Sequence, residues 1–458
     1  MLFLIPEIRP MEKKIPSTQS FHFFGNHGAL RSDTLGYIHQ TSRELGHFFK
    51  IRAAVFPVHI TTDPVVAQHL LQKNNKNYGK GRGYRVMAEF LGEGLLTSEG
   101  AHWLKHRRIM QPAFHKARLQ ALAQTMLDYT NASLATQPAD AVIDVNQWMS
   151  ALTMHIAAGT LFSSDVGEDI DNIYHSFSEI NAFGISMIRQ PLRFLFSKVF
   201  KSLRSNFDRN AAVMDAIIYR IIRERQLHPE TKHNDLLALL MDARDEESGD
   251  PLSEQELRDE IITLFLAGHE TSANAMTWML YLLAQHPDKL EKLKNAVTQT
   301  TQGQPFDVQH IYQCPYLHQV IHETLRLYPP AWTIGRRALG PDNVDGYEIK
   351  AGDNIMIVVQ QIHRREDLWP QPDAFIPERF EADKMKQIPP YAYFPFGGGP
   401  RLCIGEHFAM MEMSLILGRL VQEFTWTLEE SSRGVKPQTL ITLRPDRPIR
   451  IRLQKSGS

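Results

Sequence analysis

One cysteine is placed to hold a metal. Cys403 lies in Phe396-Gly397-Gly398-Gly399-Pro400-Arg401-Leu402-Cys403-Ile404-Gly405, where glycines and a proline shape an irregular loop and Arg401 stands just before the sulfur. A helical run rich in Phe, Met, Leu and Ile follows from Glu406 to about Phe424. The thiol is therefore expected at the mouth of a helix, where unpaired N–H groups and the positive end of the dipole favour a thiolate. A thiolate of this kind suits a soft or redox-active metal. Glycine lets something flat and large lie against the backbone. A lone cysteine is also often a buried structural thiol, although a glycine-rich polar loop makes a poor core. A cysteine nucleophile would need a histidine base, and the nearby His407 has no evident orienting partner.

A second chemical constellation interrupts the longest helical stretch. Ser253-Glu254-Gln255-Glu256 reads as a capping box, and helical periodicity continues to about His286, where Pro287 stops it. Such a helix has roughly 33 residues and a length of about 50 Å. Its apolar middle is broken by Ala267-Gly268-His269-Glu270-Thr271-Ser272, so it is not a membrane span. A mid-helix glycine costs about 1 kcal/mol against alanine. An ionisable pair flanked by Ile261, Ile262, Leu264, Phe265 and Leu266 costs more unless it has a task or partners. Gly268 would let a bulky partner approach, and the Thr271 hydroxyl can bond back to a carbonyl. The alternative is a kinked core helix whose polar residues face water. A zinc-protease helix is excluded: His269-Glu270 and His322-Glu323 lead to Ala273 and Arg326 where His-Glu-x-x-His needs its second histidine.

Three further patterns pair charges with elements able to position them. Trp103-Leu104-Lys105-His106-Arg107 puts an indole N–H and a guanidinium one helical turn apart, able to share one carboxylate. Glu323-Thr324-Leu325-Arg326 puts a carboxylate and a guanidinium on one helical face ahead of Leu327-Tyr328-Pro329-Pro330. Pro377-Glu378-Arg379-Phe380 adds another arginine downstream. In isolation these are an amphipathic basic helix and a surface ion pair worth well under about 1 kcal/mol.

In this order, the motifs resemble those of the cytochrome P450 family of haem-thiolate monooxygenases. The cysteine loop fits the family pattern Phe-x-x-Gly-x-Arg-x-Cys-x-Gly at every fixed position, and the resemblance extends from about Trp103 to Gly405. It implies that Cys403 is the axial ligand of haem b iron, that Arg401 contacts a propionate and that Phe396 packs beneath the thiolate, with Gly405 and Ala267 also lining the cofactor. It implies propionate contacts from Trp103, Arg107 and Arg336, with Arg337 a close competitor. It assigns Glu270 and Thr271 to proton delivery beside bound O2. Glu323, Arg326 and Arg379 become a buried structural cluster. Family members that run on peroxide usually replace the Glu-Thr pair, so its presence points to O2 and an electron donor. A haem-based gas sensor and a peroxide-driven haem enzyme are the alternatives.

The elements that must hold these residues are mostly helical. Short strands are expected at Phe48–Arg52, Val55–Ile60, Ile355–Val359 and from Ile441 to Leu453, with turns at Asp345-Gly346 and Ala351-Gly352. Helical periodicity dominates from about 66 to 330. The expected fold is mainly α with minor β sheets assembled from distant pieces, one large domain over 1–458, with 1–20 poorly ordered and 454–458 a tail. No Pro/Gly/Ser tract, charge block or repeat marks a linker.

Composition narrows the partners. A formal net charge of −1 gives no global attraction to nucleic acid. Only two cysteines, Cys314 and Cys403, occur in 458 residues, which fits a reducing compartment and a cytoplasmic location. Met1-Leu2-Phe3-Leu4-Ile5-Pro6 is too short for a membrane span, which needs about 20 residues, so no transmembrane anchor is expected. No flavin or nicotinamide motif occurs, so electrons should come from a ferredoxin or flavodoxin with its reductase. His102, Lys105, His106 and Arg108 are candidates for a positive docking face. The protein is expected to be a monomer.

By family position, the loop around Tyr84 to Leu95, Leu266 and Ala267, Trp332-Thr333-Ile334 and the Leu440-Ile441 turn face the substrate. Nearly all are apolar, which suggests a greasy small molecule such as a fatty acid, terpenoid or carotenoid. The basic amphipathic run Leu192 to Lys201 reads as a solvated helix of the substrate lid, or as a contact with a membrane surface.

Overall fold

Capping chemistry sets where several helices begin. The computed structural model describes residues 13–18, 26–53, 56–163, 172–173, 175–176, 179–180, 183, 201–231, 233 and 235–456. Helix α1 (Thr34–Leu45) is capped by Asp33, whose carboxylate accepts from the Gly36 N–H. Helices α2 (Arg82–Leu91), α3 (Gly100–Met110) and α4 (Lys116–Ala135) follow. Asp144 caps α5 (Val145–Phe162). After α6 (Lys201–Leu227) comes α7 (Glu254–Gln285), 32 residues long and started by the anticipated Ser253/Glu256 capping box. It is continuous through Gly268 and stops before Pro287. Helices α8 (Pro287–Thr301) and α9 (Pro315–Leu327) each open on proline, whose missing N–H is no loss in a first turn. Helix α10 (Glu406–Glu423) starts directly after the cysteine loop.

The strands are short. In chain order they are β1 (Phe48–Ala53), β2 (Phe56–Thr61), β3 (Tyr78–Lys80), β4 (Val142–Asp144), β5 (Ile334–Ala338) and β6 (Asp342–Val344). They continue with β7 (Tyr347–Ile349), β8 (Asn354–Ile357), β9 (Phe424–Leu428), β10 (Pro437–Thr439), β11 (Leu443–Pro445) and β12 (Arg450–Lys455). The expected mainly helical fold with small sheets from distant pieces is observed.

Two compact units are interleaved along the chain. The first takes the chain up to Arg82, Thr333–Pro370 and Pro389–Leu402. Its sheet has the order β1-β2-β8-β5-β3, with β1 and β2 antiparallel (Phe48 opposite Thr61) and β2 parallel to β8. Phe48, Leu70, Leu71, Ile355, Ile357 and Phe394 belong to the core beside it. The Asp345-Gly346 turn joins β6 to β7 with positive φ at both residues, 50° and 85°, as a tight hairpin demands.

The second unit takes Gly83–Trp332, Gln371–Ile388 and the chain from Cys403 onward. Helix α7 packs along α5, and α4 packs along α10. Trp278, in the C-terminal part of α7, is fully buried and stacks on Tyr328 at 4.0 Å. Strands β4-β12-β9 form a small sheet beside the bundle's elements, and β10 pairs with β11.

Three local expectations are corrected. The segment from Tyr84 is not a loop but helix α2 as far as Leu91. Strand β8 ends at Ile357 because Val359–Ile362 turns helical. The alternation from Ile441 to Leu453 is broken between β11 and β12 at Asp446-Arg447-Pro448, where proline cannot donate to a ladder. The run Leu192 to Phe200 and the segment Met1 to Pro6 lie outside the described residues; Lys201 begins α6. Both cysteines are free, and Cys314 is a buried thiol at the start of α9. No helix among the described residues is long and apolar enough to cross a membrane.

Candidate active site

The chemistry-bearing face of the second unit is a stripe on α7. Most of this helix is buried, yet Ala267 is exposed and Leu264, Gly268 and Thr271 are partly exposed. Their spacing puts them on one helical face. A Cβ built on Gly268 would meet nothing within 4 Å, so α7 leaves room for a bulky group along this stripe. Thr271 donates its hydroxyl hydrogen back to the Ala267 carbonyl at 2.6 Å, as its position in the helix suggests.

Glu270 turns away from that stripe. Its carboxylate is buried, 2.6 Å from Arg444 Nη2 on β11, and it accepts from the Thr442 hydroxyl. Asn274 Nδ2 donates to the Glu270 carbonyl at 2.9 Å and to Thr442 Oγ1 at 3.1 Å. Glu270 and Thr271 therefore make no direct hydrogen bond; each is held by its own partner. Beside them, burial lowers the His269 imidazole to about 4, so it is neutral at ordinary pH.

A second carboxyl was not singled out from sequence. Glu412 on α10 is fully buried beside Ser272, and burial pushes it up to about 8 against the Ser272 hydrogen bond. The signal was present in Met410-Met411-Glu412-Met413, a lone acid in an apolar stretch.

Cys403 is exposed and stands just ahead of α10, whose N-cap is Gly405. The expectation of a thiolate favoured by the helix mouth is reversed for the protein alone. Desolvation by the surrounding protein raises the thiol although the residue has an open side, and Glu406 adds to this; the Gly405 N–H bond and the Arg107 guanidinium pull the other way without prevailing. A metal bound there would stabilise the thiolate by coordinating it, the proton being released to solvent. Trp103 and Arg107 stand one turn apart on α3, both partly buried, and Arg107 is close enough to the sulfur to act on it electrostatically. An accessible soft sulfur, a guanidinium near it and an open helical face match the donor set a thiolate-bound haem requires.

The structural cluster forms as the resemblance implies. Arg326 grips both oxygens of Glu323 at 2.6 and 2.8 Å, with both side chains fully buried. Arg379 Nε lies 3.3 Å from Glu323 Oε1, and the Ile376 N–H donates to the same oxygen at 2.9 Å. Arg326 also donates to the carbonyls of Pro372 and Ala374, so the cluster ties 371–379 to α9.

In the first unit, β5 places the two neighbouring arginines on opposite faces. Arg336 and Ala338 are buried on one face, whereas Arg337 points to the other side, with Nη2 near Gly352. Phe396 and Arg401 are partly buried. Gly399 has φ +66°, and a Cβ there would lie 1.9 Å from the Leu71 carbonyl oxygen. This glycine therefore makes room for the protein's own backbone.

The positive docking face is only partly available. His106 is buried between two carboxylates, Lys105 lies 3.4 Å from Glu256, and Arg108 is paired with Glu247 and Asp245. Of the substrate-side residues, the structure joins Trp332 to the Leu440 turn, its indole N–H donating to the Leu440 carbonyl at 3.0 Å.

An accessible cysteine ahead of a helix, set in a largely helical protein with an open stripe beside an acid–alcohol sequence, defines the haem-thiolate class. Residues 15–453 match the cytochrome P450 family model, and the chain belongs to that family. Its cofactor is thiolate-ligated haem b, and it is a monooxygenase that requires O2 and a redox partner. Cyclooctatin synthase of Streptomyces melanosporofaciens is 31% identical over 88% of this chain and 88% of its own. Cyclooctat-9-en-7-ol 5-monooxygenase of the same organism is 29% identical over 83% of this chain and 82% of its own. A crystal structure of the cytochrome P450DA haem domain superposes with a TM-score of 0.89 at 23% identity, covering 98% of this chain and 99% of that one. These matches favour the monooxygenase over a gas sensor or a peroxide-driven enzyme.

Proposed function

We propose that the protein hydroxylates an apolar small molecule, a terpenoid, carotenoid or fatty acid, with Cys403 as the residue that would ligate the haem iron. The observation that carries this is the open stripe Leu264-Ala267-Gly268-Thr271 on a helix buried along most of its length, with the Glu270 carboxylate held beside it by Arg444. When bound, the haem would supply O2 activation, and the Cys403 sulfur would donate electron density to its iron.

The chain's own residues bind, orient and deliver protons. Trp103, Arg107, Arg336 and Arg401 hold the propionates through charge-assisted hydrogen bonds. Thr271 presents a hydroxyl on the open stripe that can release the Ala267 carbonyl and donate or relay a proton towards the open side. Glu270, held in place by Arg444, accepts protons from solvent and passes them towards Thr271. The apolar stretches at Leu266, Trp332-Thr333-Ile334 and Leu440-Ile441 receive the substrate. The relative that acts on cyclooctat-9-en-7-ol supports a carbocyclic, greasy substrate. Electrons arrive from a ferredoxin or flavodoxin with its reductase, in the cytoplasm, to a monomeric enzyme.

The test has two parts. Cys403→Ser should abolish the red-shifted band of the reduced carbonyl adduct; a wild-type adduct lacking that band refutes sulfur ligation. Terpenoids, carotenoids and fatty acids should then be screened for a substrate-induced haem spectral shift, followed by product analysis with a reconstituted ferredoxin chain. A protein that shifts with none of them, or turns over as fast on peroxide alone, excludes the proposed reaction.

A further inference from the structure

Helix α3 carries His102 and His106 one turn apart, a spacing at which both imidazoles face the same side of a helix. Their ring centroids are 4.0 Å apart. Glu256, in the first turn of α7, approaches them: ligand atoms of His102, His106 and Glu256 all lie within 4.8 Å of one another. His106 Nε2 is 3.2 Å from Glu256 Oε1.

Each of the three groups is anchored through its other polar atom. His106 donates from Nδ1–H to the Glu260 carboxylate at 2.6 Å, with both side chains fully buried. His102 donates from Nε2–H to the Glu93 carbonyl at 3.1 Å, leaving its remaining ring nitrogen for a ligand. Glu256 accepts the Ser253 N–H on Oε2 at 2.8 Å, as the capping box dictates, and aims Oε1 at His106. Metal-binding histidines characteristically donate their second N–H to a carboxylate or backbone carbonyl, which sets tautomer and ring orientation. Here both do so, and the carboxylate is fixed as well.

We infer that His102, His106 and Glu256 form a divalent-cation site of the zinc type, linking α3 to the start of α7. Two imidazoles and a carboxylate suit Zn²⁺, with water as fourth ligand. The competing cation is Lys105, whose ammonium lies 3.4 Å from Glu256 Oε1 at 28% side-chain exposure and can swing into solvent. Arg108 is held by Asp245 and Glu247 and stays out of the site. His102 and Glu256 are partly exposed, so an ion has a route in. The site is independent of the haem reaction, but Trp103 and Arg107 are the next residues after each histidine. Occupancy would therefore stiffen the helix that bears them.

The experiment titrates chelator-stripped, haem-loaded protein with Zn²⁺ by calorimetry and follows the melting temperature. One equivalent should bind and raise the melting temperature. His102→Ala, a change at a partly exposed position, should weaken binding at least tenfold and abolish the thermal gain while leaving the metal-free melting temperature unaltered. Glu260→Gln should weaken binding about tenfold by loosening His106. Zinc-edge absorption should report two imidazoles. Equal binding by wild type and His102→Ala, or no stoichiometric binding by wild type, overturns the site and leaves His106 as a proton bridge between two carboxylates.

Discussion

Arg444 Nη2 lies 2.6 Å from the carboxylate of Glu270, across 174 residues of sequence separation. Glu270 is thus tied to β11, and Thr271 beside it is tied to its own helix. The proposed proton delivery needs Glu270 held in position near solvent, and the Arg444 guanidinium at the partly exposed edge of β11 fixes its carboxylate there.

Removing that guanidinium should therefore separate positioning from folding. Arg444→Gln is expected to lower product formation by about tenfold, a fraction of the 10²–10⁴ that a placed proton donor supplies, and to alter the pH profile of turnover. Arg444→Lys should recover most of it. An unchanged profile in Arg444→Gln would show that Glu270 acts without this partner, or does not act.

Thr271→Ala should leave haem binding and stability nearly intact, because its hydroxyl serves only the Ala267 carbonyl in this structure. Reducing equivalents should instead be diverted to hydrogen peroxide, with coupling falling severalfold. Measuring peroxide, NADPH use and product together decides the matter; wild-type coupling would eliminate the hydroxyl from proton handling.

Glu323→Ala should be among the most damaging changes away from the haem. It strands the buried guanidinium of Arg326 and loosens Arg379, a penalty of roughly 3–5 kcal/mol. Denaturant unfolding measures it. A loss below about 1 kcal/mol would reduce the cluster to an ordinary surface pair.

Glu412 gives the fold a pH dependence of definite sign. Its folded carboxyl is raised to about 8 by burial, so the folded state holds a proton that the unfolded chain has already released. Its contribution is fully present below the unfolded carboxyl range and is lost as pH rises towards about 8. Glu412→Gln should thus gain stability over wild type as pH climbs from about 5 to about 8, by up to about 1.4 kcal/mol per unit. Parallel melting curves at both ends of that window would contradict a protonated Glu412.

Gly399→Ala should destabilise the cysteine loop by about 2 kcal/mol or more, since φ is +66° and the new methyl would collide with the Leu71 carbonyl. Thermal melting of the haem-free protein isolates this from cofactor binding. A neutral result would mean that Leu71 yields readily.

What the sequence by itself determined is chain-local. The cysteine loop, the capping box at Ser253, the Trp-x-x-x-Arg and Glu-x-x-Arg turns and the Asp-Gly hairpin each complete their chemistry within about ten residues, so residue type and spacing suffice to read them. Tertiary packing decided the rest. The counter-ion of Glu270, the burial of Glu412 against α7 and the buried face of Arg336 depend on elements far apart in sequence. Desolvation has the same origin: the helix mouth alone favours a thiolate at Cys403, but desolvation by segments brought in from elsewhere in the chain outweighs it, and no local pattern encodes which segments those will be.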